Sequence, residues 1–345
     1  MKIQVHSLIL VVLLASTSLA QSRQPVIDVH MHAYAKDPRW DQKLTNPITG
    51  QPMTATNEQS HMRATFAEMK KYNIVKGVVS TDYDATLRWK TAAPDNIIAS
   101  YGFDDPAKVN LEFLRKEHAA GRLLSIGEVG VQYGGLAPND PKMGPIYALA
   151  EELDIPLGIH VGLSKPGIAY DDSPKYRAAL SNPMLLEEVL IRHPKLRLYV
   201  MHAGWPMLDQ MIALMWAHPQ VYVDIAVINW ALPRAEFHSY LRRLLEAGFG
   251  QRIMFGSDQM VWPDAIGKAI EGVESATFLT EQQKRDIFYK QRRQVLSTRE
   301  EVVERLLRRI QALEIRVSVQ YLEIRILPRP VRITITRLPS FLDRN

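Results

Sequence analysis

Eight short apolar runs alternate with helix-like segments along this chain, and that alternation limits the fold more than any other feature. The runs are Val26–His30, Gly77–Thr81, Ile97–Gly102, Leu123–Val129, Pro156–His160, Leu196–His202, Val221–Ile225 and Arg252–Ser257. Short buried strands separated by helices are typical of a parallel sheet. Eight such units in one domain predict an α/β fold of the closed (β/α)8 TIM-barrel type.

The segments between the runs carry helix and loop signals. Asp105-Pro106 is predicted to begin a helix that continues to Gly121. Residues 33–60 are rich in Pro, Gly, Thr and Asn, which predicts a long irregular connection after the first strand. A loop of this length is often a functional lid. Arg39 and Trp40 are its candidate substrate contacts, and a purely structural surface loop is the alternative.

Metal-ligand residues stand at the ends of several of these runs. His30 and His32 are two residues apart on a predicted strand, so both side chains point to the same face. The run Leu123–Val129 contains Glu128. Two later runs end in His160 and His202, and the last run is followed directly by Asp258. Barrel active sites lie at the carboxyl ends of the strands, where all of these residues are expected to meet. Asp224, in the seventh run, is interpreted as a structural residue that bonds to backbone.

The ordered set of motifs resembles a known family. His30-x-His32, Gly127-Glu128, His160, His202–Pro206 and Phe255–Asp258 together are similar to the amidohydrolase superfamily. The amidohydrolase-related ("amidohydrolase 2") branch, which contains metal-dependent hydrolases, lactonases and decarboxylases, matches best. The resemblance covers roughly residues 25–290, which include the whole predicted barrel.

The resemblance implies a divalent metal, with Zn²⁺ as the expected ion. In the mononuclear version His30, His32, His160 and Asp258 hold one cation. In the binuclear version Glu128 bridges two cations, with His160 and His202 on the second one. We favour one ion over two. With one ion, Glu128 is expected to orient a ligand or the substrate from inside the barrel mouth.

The implied activity is hydrolysis of an amide, ester or lactone carbonyl of a small molecule by a metal-activated water. Asp258 would move the proton, and His202 would polarise the carbonyl or stabilise the oxyanion. The alternative is non-oxidative decarboxylation of an aromatic or unsaturated carboxylic acid with the same ligands. Trp205 and Trp262 follow catalytic strands and are further substrate candidates.

The first twenty residues have the pattern of a secretory signal peptide. Lys2 precedes an apolar stretch from Leu8 to Ala15, and Ser18-Leu19-Ala20 forms a small-x-small cleavage site. We expect cleavage after Ala20, a secreted or periplasmic enzyme, and no stable membrane anchor afterwards.

The chain has no cysteine, which excludes disulfides, thiolate nucleophiles and Cys-ligated zinc.

The composition changes abruptly after residue 290. Residues 291–345 carry twelve Arg and six acidic residues, and so hold more positive charge than the whole chain, whose net charge is +5. Residues 1–290 are therefore nearly neutral. The catalytic domain, residues 21–290, therefore gives no argument for a nucleic-acid partner. Residues 302–313 are predicted to form an amphipathic helix, and 315–338 a hairpin around Pro328-Arg329-Pro330. This tail is either an added Arg-rich docking module or a sequence that was not selected, such as a shifted reading frame; we favour the second.

A homo-oligomer is compatible with the sequence.

Overall fold

The computed structural model describes residues 24–162 and 164–290, together with the backbone of two strands between residues 322 and 333. The chain divides into two compact units, Met1–Ser297 and Thr298–Asn345. The predicted signal peptide and the predicted helix over residues 302–313 lie outside the described residues. No described helix combines the length and apolar character needed to cross a membrane.

The first unit contains one eight-stranded parallel sheet whose strands pair in chain order. Its strands are β1 (Val26–Ala33), β2 (Ile74–Thr81), β3 (Ile97–Phe103), β4 (Ser125–Val129), β5 (Leu157–His160), β6 (Leu198–Met201), β7 (Tyr222–Asp224) and β8 (Ile253–Met254). Backbone hydrogen bonds from Val29 N to Phe255 O (3.0 Å) and from Asp258 N to His30 O (2.8 Å) join the first strand to the residues after the last. The ring of strands confirms the predicted (β/α)8 barrel.

Two apolar layers hold this barrel together. The smaller lies inside the ring of strands, where Tyr199, Met201 and Met254 pack with residues of β1 and β2. The larger lies between the strands and the surrounding helices. Strand residues such as Ile126, Ile159 and Val200 are completely buried there. The strands are buried on both faces, which is why they appear in the sequence as near-continuous apolar runs.

The helices of the described residues surround the barrel. They are α1 (Pro38–Gln42), α2 (Glu58–Lys71), α3 (Tyr83–Ala92), α4 (Leu111–Ala119), α5 (Gly144–Leu153), α6 (Glu187–Arg192), α7 (Leu208–Ala217), α8 (Ile228–Ala231), α9 (Arg234–Glu246), α10 (Ala265–Glu274) and α11 (Glu281–Arg285). A π-helical turn, Asp286–Lys290, follows α11. Short 3-10 turns connect several of these elements.

The helix predicted from Asp105 to Gly121 is wrong at its start. Asp105 caps only a 3-10 turn, Pro106–Lys108, by accepting a hydrogen bond from the amide of Ala107. A second cap then begins α4, because the Asn110 side chain accepts from the amide of Phe113 at 3.0 Å. Two capping residues five positions apart divide the segment into two elements.

The connection between β1 and α2 is partly ordered by polar contacts. It contains α1 and an isolated bridge between Thr45 and Pro52. The Thr49 hydroxyl donates to the Asp264 carboxylate at 2.5 Å, and the Trp262 indole donates to the carbonyl of Leu44 at 3.5 Å. The long loop therefore lies against the segment that follows β8, next to the carboxyl ends of the strands.

In the second unit, the structure describes the backbone of β9 (Leu322–Ile326) and β10 (Arg329–Ile333), which pair antiparallel. The sequence analysis placed Arg329 and Pro330 in the turn of a hairpin, and the pairing of these two strands corrects that placement. Arg329 pairs with Ile326 and Pro330 with Arg325, so Arg329 and Pro330 belong to the strand rather than to the turn.

Candidate metal centre

Six polar side chains meet at the carboxyl ends of the barrel strands, and five of them are buried. They form three overlapping groups, and within each group the ligand atoms lie within 4.8 Å of one another. The groups are His30, His202 and Asp258; His30, His32 and Glu128; and Glu128, His160 and His202. Every residue that the sequence analysis proposed as a metal ligand is in at least one of these groups. His202, which the mononuclear hypothesis assigned to the substrate, is in two of them.

One half of the centre is formed by strand β1 together with residues from β4 and the β8 loop. His30 Nε2 lies 3.5 Å and His32 Nε2 lies 3.6 Å from Glu128 Oε2. Asp258 Oδ1 is 2.8 Å from His32 Nε2. Two imidazole nitrogens and two carboxylate oxygens therefore face one another across a distance that a single divalent cation spans.

The other half uses the second oxygen of Glu128. Its Oε1 lies 2.5 Å from His160 Nδ1 and 3.7 Å from His202 Nε2, and the two nitrogens are 3.1 Å apart. Burial, and then the nearby His202 ring, lower the pKa of His160, which keeps its imidazole neutral and able to ligate. Glu128 thus offers one oxygen to each half of the centre.

The outward nitrogens of three of these rings are already engaged. Asp224 Oδ2 accepts from His30 Nδ1 at 3.1 Å, and the carbonyl of Ala226 accepts from His202 Nδ1 at 3.0 Å. His32 Nδ1 is hydrogen-bonded to Thr81 Oγ1 at 2.5 Å. A ring that donates through Nδ1 presents the lone pair of Nε2 inward, which is the orientation that a metal ligand needs.

Several inward atoms have no hydrogen-bond partner although they are buried. Among the described residues these include His30 Nε2, His32 Nε2 and Asp258 Oδ1. Leaving buried polar atoms unsatisfied is costly, and each such atom requires an explanation. A cation held among them explains all three atoms at once, because histidine nitrogens and carboxylate oxygens are suitable ligands for Zn²⁺. The donor set therefore fits a divalent metal.

The two carboxylates of the centre are poised to carry negative charge. Burial alone raises the pKa of Glu128, but its contacts with the His160 and His202 rings outweigh burial and hold that pKa well below its usual range. Burial also opposes ionisation of Asp258, and the adjacent His30 contributes most to lowering the pKa of Asp258. Both groups are anionic at neutral pH, the state in which a carboxylate ligates a cation.

Two of the six residues have left-handed backbone conformations. His202 has φ 58° and Asp258 has φ 49°. Neither residue is glycine, and such conformations cost on the order of 1–3 kcal/mol when the surroundings impose them. They are found preferentially at functional sites, where they direct a side chain that ordinary strand geometry would place elsewhere.

A sequence model described as Amidohydrolase matches residues 27–290, about three quarters of the chain. The chain belongs to the amidohydrolase family. The family is metal-dependent, which agrees with the donor set described above. No curated protein sequence matches the chain.

Solved structures with the same barrel include three that are distant in sequence. An uncharacterised TIM-barrel protein from Bordetella bronchiseptica has a TM-score of 0.62 at 16% identity, over 79% of this chain and 98% of that chain. A probable 2-pyrone-4,6-dicarboxylic acid hydrolase from Acinetobacter baumannii has a TM-score of 0.56 at 14% identity, over 79% and 99%. The 5-carboxyvanillate decarboxylase LigW from Sphingomonas paucimobilis has a TM-score of 0.51 at 14% identity, over 79% of this chain and 99% of that chain. At these identities the likeness shows the fold.

The predicted substrate residues of this amidohydrolase occupy different places at the mouth of the barrel. The Arg39 guanidinium lies over the rings of Tyr34 (5.3 Å) and Trp262 (5.9 Å), and it is paired with Asp37. The Tyr34 ring in turn stacks on His32 at 5.9 Å. Arg39 and Trp262 are therefore brought together, with the Tyr34 ring between Arg39 and His32.

The other two predicted substrate residues lie apart from this pair. Trp40 is buried, with its ring 6.1 Å from that of His61 on α2. Trp205 donates from its indole nitrogen to Glu236 of α9 at 3.0 Å. Substrate contact by any of the four residues stays a prediction.

Three groups around the candidate ligands were not predicted from the sequence: the side chains of Thr81 and Tyr34 and the carbonyl of Ala226. Thr81 ends β2 and bonds to His32, and its sequence context gave no signal beyond its place at a strand end. Tyr34 was detectable, because it follows His32 by two residues and comes directly after the last residue of β1, where the alternation of the strand predicts the same side. The carbonyl of Ala226 could not be found from sequence, since any residue type supplies one.

Proposed function

We propose that the protein is a metal-dependent hydrolase that acts on an amide, ester or lactone carbonyl of a small molecule. The observation that carries this proposal is the shared Glu128, whose two oxygens face two adjacent ligand groups. Hydrolysis requires a water nucleophile and a polarised carbonyl side by side, and two adjacent cation positions suit that requirement.

We propose Zn²⁺ as the resident ion, held by His30, His32 and Asp258 in one half and by His160 and His202 in the other. Glu128 would bridge the halves. This arrangement favours two ions over the single ion that the sequence analysis preferred. When bound, such a cation lowers the pKa of a water molecule and polarises a carbonyl oxygen.

The chain's own residues would then manage protons and charge. Asp258, anionic and beside His32, would accept the proton of the attacking water and later deliver it to the leaving group. With two cations His202 is a ligand. With one cation, His202 would instead stabilise the negative charge that develops on the substrate oxygen.

Metal analysis of the purified protein tests the proposal. We expect close to two divalent ions per wild-type chain, and we expect His30→Ala to lose both metal and turnover. His193→Ala is the matched control, because His193 pairs with Glu151 and belongs to none of the three ligand groups. A catalytically active, metal-free preparation would contradict the proposal, and one ion per chain would restore the mononuclear version.

Decarboxylation of an aromatic or unsaturated carboxylic acid is the second candidate. It is supported by the family, whose structural neighbours include decarboxylases of 5-carboxyvanillate and 2,6-dihydroxybenzoate as well as a probable pyrone dicarboxylate hydrolase. Incubation with 2-pyrone-4,6-dicarboxylate and with 2,6-dihydroxybenzoate separates the two. Ring opening supports hydrolysis, whereas release of carbon dioxide supports the second candidate.

We also propose that the enzyme is exported, on the strength of the signal-like residues 1–20. Fractionation of expressing cells and N-terminal sequencing of the mature protein test this. A mature chain that begins at Gln21 is the expected result, and a cytoplasmic chain that retains Met1 would contradict export.

A further inference from the structure

Tyr133 places a phenol hydroxyl at the edge of the metal centre. It lies in the 3-10 turn Val131–Gly134, which follows directly after the strand that carries Glu128. Its ring meets the His160 ring edge-on, with centroids 5.1 Å apart, and its hydroxyl is 3.4 Å from His160 Nδ1. The hydroxyl therefore approaches the same nitrogen that belongs to the second ligand half.

That nitrogen is already surrounded by other groups. Glu128 Oε1 is 2.5 Å and His202 Nε2 is 3.1 Å from His160 Nδ1. An imidazole nitrogen forms one bond in the plane of its ring, either by donating a proton or by offering its lone pair. Once this lone pair ligates a cation, it cannot also accept from Tyr133. The phenol is then available to donate to a group bound beside the cation.

The turn that carries Tyr133 is held in place from two sides. The Gln132 side chain donates to the carbonyl of His160 at 2.5 Å, which ties the turn to β5. Gly130, just before the turn, leaves room for the ring, because a Cβ at that position would come within 2.8 Å of Tyr133 Cδ2. A donor that is fixed before the substrate arrives needs no reorganisation during the reaction.

Tyr133 is also suited to this task by its charge state. Tyrosine keeps its proton at neutral pH, whereas Glu128 and Asp258 act only as acceptors when they are ionised. A substrate oxygen that gains negative charge is stabilised by a donor, and neither carboxylate can supply one while it is ionised. Tyr133 supplies an O–H on the His160 side of the centre.

We propose that Tyr133 is a catalytic residue that donates a hydrogen bond to the substrate oxygen on which negative charge develops. The inference rests on the proposed function, since it needs a cation in the ligand half formed by Glu128, His160 and His202. It adds to that function a donor from the β4 loop, which recognises a carbonyl, carboxylate or other oxyanion oxygen.

The test compares zinc-loaded wild type with Tyr133→Phe, and uses methylphosphonate, a tetrahedral oxyanion, as the probe. We expect the variant to keep its zinc content and zinc affinity and to bind methylphosphonate roughly tenfold more weakly, as measured by isothermal titration calorimetry. The matched control is Tyr176→Phe. The Tyr176 ring is 5.9 Å from that of Tyr133, but its hydroxyl donates to the carbonyl of Gly162. The control should retain the wild-type probe affinity.

Two results would overturn the inference. Equal probe affinity of wild type and Tyr133→Phe, including no measurable binding by either, would show that the hydroxyl does not contact the oxyanion. A loss of zinc affinity in Tyr133→Phe would show that Tyr133 only orients His160. Failure of the proposed function looks different, because wild type itself would then carry no divalent metal.

Discussion

Asp224 illustrates how one buried carboxylate prepares two ligands at the scale of single residues. Its Oδ2 accepts from the ring of His30, while its Oδ1 accepts from the backbone amides of His202 (2.9 Å) and Ala226 (3.0 Å). The sequence analysis expected the backbone bonds alone. Asp224 therefore sets the tautomer of His30 and also holds the left-handed backbone at His202.

We predict that Asp224→Asn weakens zinc affinity by about 10–100-fold, the usual effect of losing a group that orients a metal-ligating histidine. The asparagine amide can donate to His30 Nδ1, which would place the ring proton on Nε2, the nitrogen that must ligate. Competition with a chromophoric zinc chelator measures the affinity.

Asp286→Asn is the matched control for this measurement. Asp286 is another buried aspartate, and it accepts from Gln251 and Gln282 beside the start of β8, at the opposite end of that strand from the metal centre. Its replacement should lower stability and leave zinc affinity unchanged. Wild-type affinity in Asp224→Asn would contradict the role assigned to Asp224.

At the scale of elements, His61 links α2 to the loop after β8. Its Nε2 donates to the carbonyl of Met260 at 2.8 Å, and its Nδ1 is buried without a hydrogen-bond partner. The rings of Tyr34, Trp40 and Trp89 lie around it, with centroids 5.3–6.1 Å away. Burial in this setting lowers the pKa of His61 to about 4.

This shift predicts acid sensitivity at His61. The pKa is lower in the folded protein than in the unfolded chain, so the neutral ring stabilises the fold above about pH 6.5, and this contribution is lost as the pH falls toward 4. Between pH 7 and pH 4.5 the loss amounts to about 2.5 kcal/mol of unfolding free energy. His61→Gln removes the titrating group while keeping a donor for Met260.

Urea unfolding at pH 7 and pH 4.5 measures the effect. The unfolding free energy of wild type should fall between the two pH values by about 2.5 kcal/mol more than that of His61→Gln. Comparing two proteins cancels the titration of the metal centre, which they share. Equal pH dependence of the two proteins would show that His61 does not carry this sensitivity.

The elements also show where sequence patterns succeed and where they fail. All eight strands were predicted, because each is a run of apolar residues that the barrel buries on both faces. The start of α4 was missed because Asp105 and Asn110 are both good capping residues, and apolar periodicity does not decide between them. Strand β8 spans only Ile253–Met254, which is shorter than the predicted run Arg252–Ser257.

At the scale of the whole molecule, the barrel and the Arg-rich tail are separate units. The family match ends at residue 290, close to the unit boundary at Ser297. The ligand residues and the two strands that join to close the ring all lie within the first unit. Among the described residues, the candidate ligands therefore all belong to the unit that the family match covers.

We predict that a chain that ends at Ser297 keeps the barrel and its metal centre. Zinc content should equal that of the full chain, and the melting temperature should change by no more than a few degrees, because no described core residue is removed. Metal analysis and differential scanning calorimetry on both chains check this. A truncated chain that fails to fold or to bind zinc would show that the tail is part of the functional protein.

The sequence by itself determined the order of the eight strands, the closed barrel, and the set of residue types at the carboxyl ends of the strands. These follow from local patterns, since burial on both faces and the parallel direction of the strands are recorded in short stretches of chain. Only the tertiary structure decided that Glu128 faces two ligand groups, that Asp224 orients His30, and that Tyr133 reaches His160. Those contacts depend on distances of a few ångströms between separate strands and loops, and strand register and loop packing set these distances.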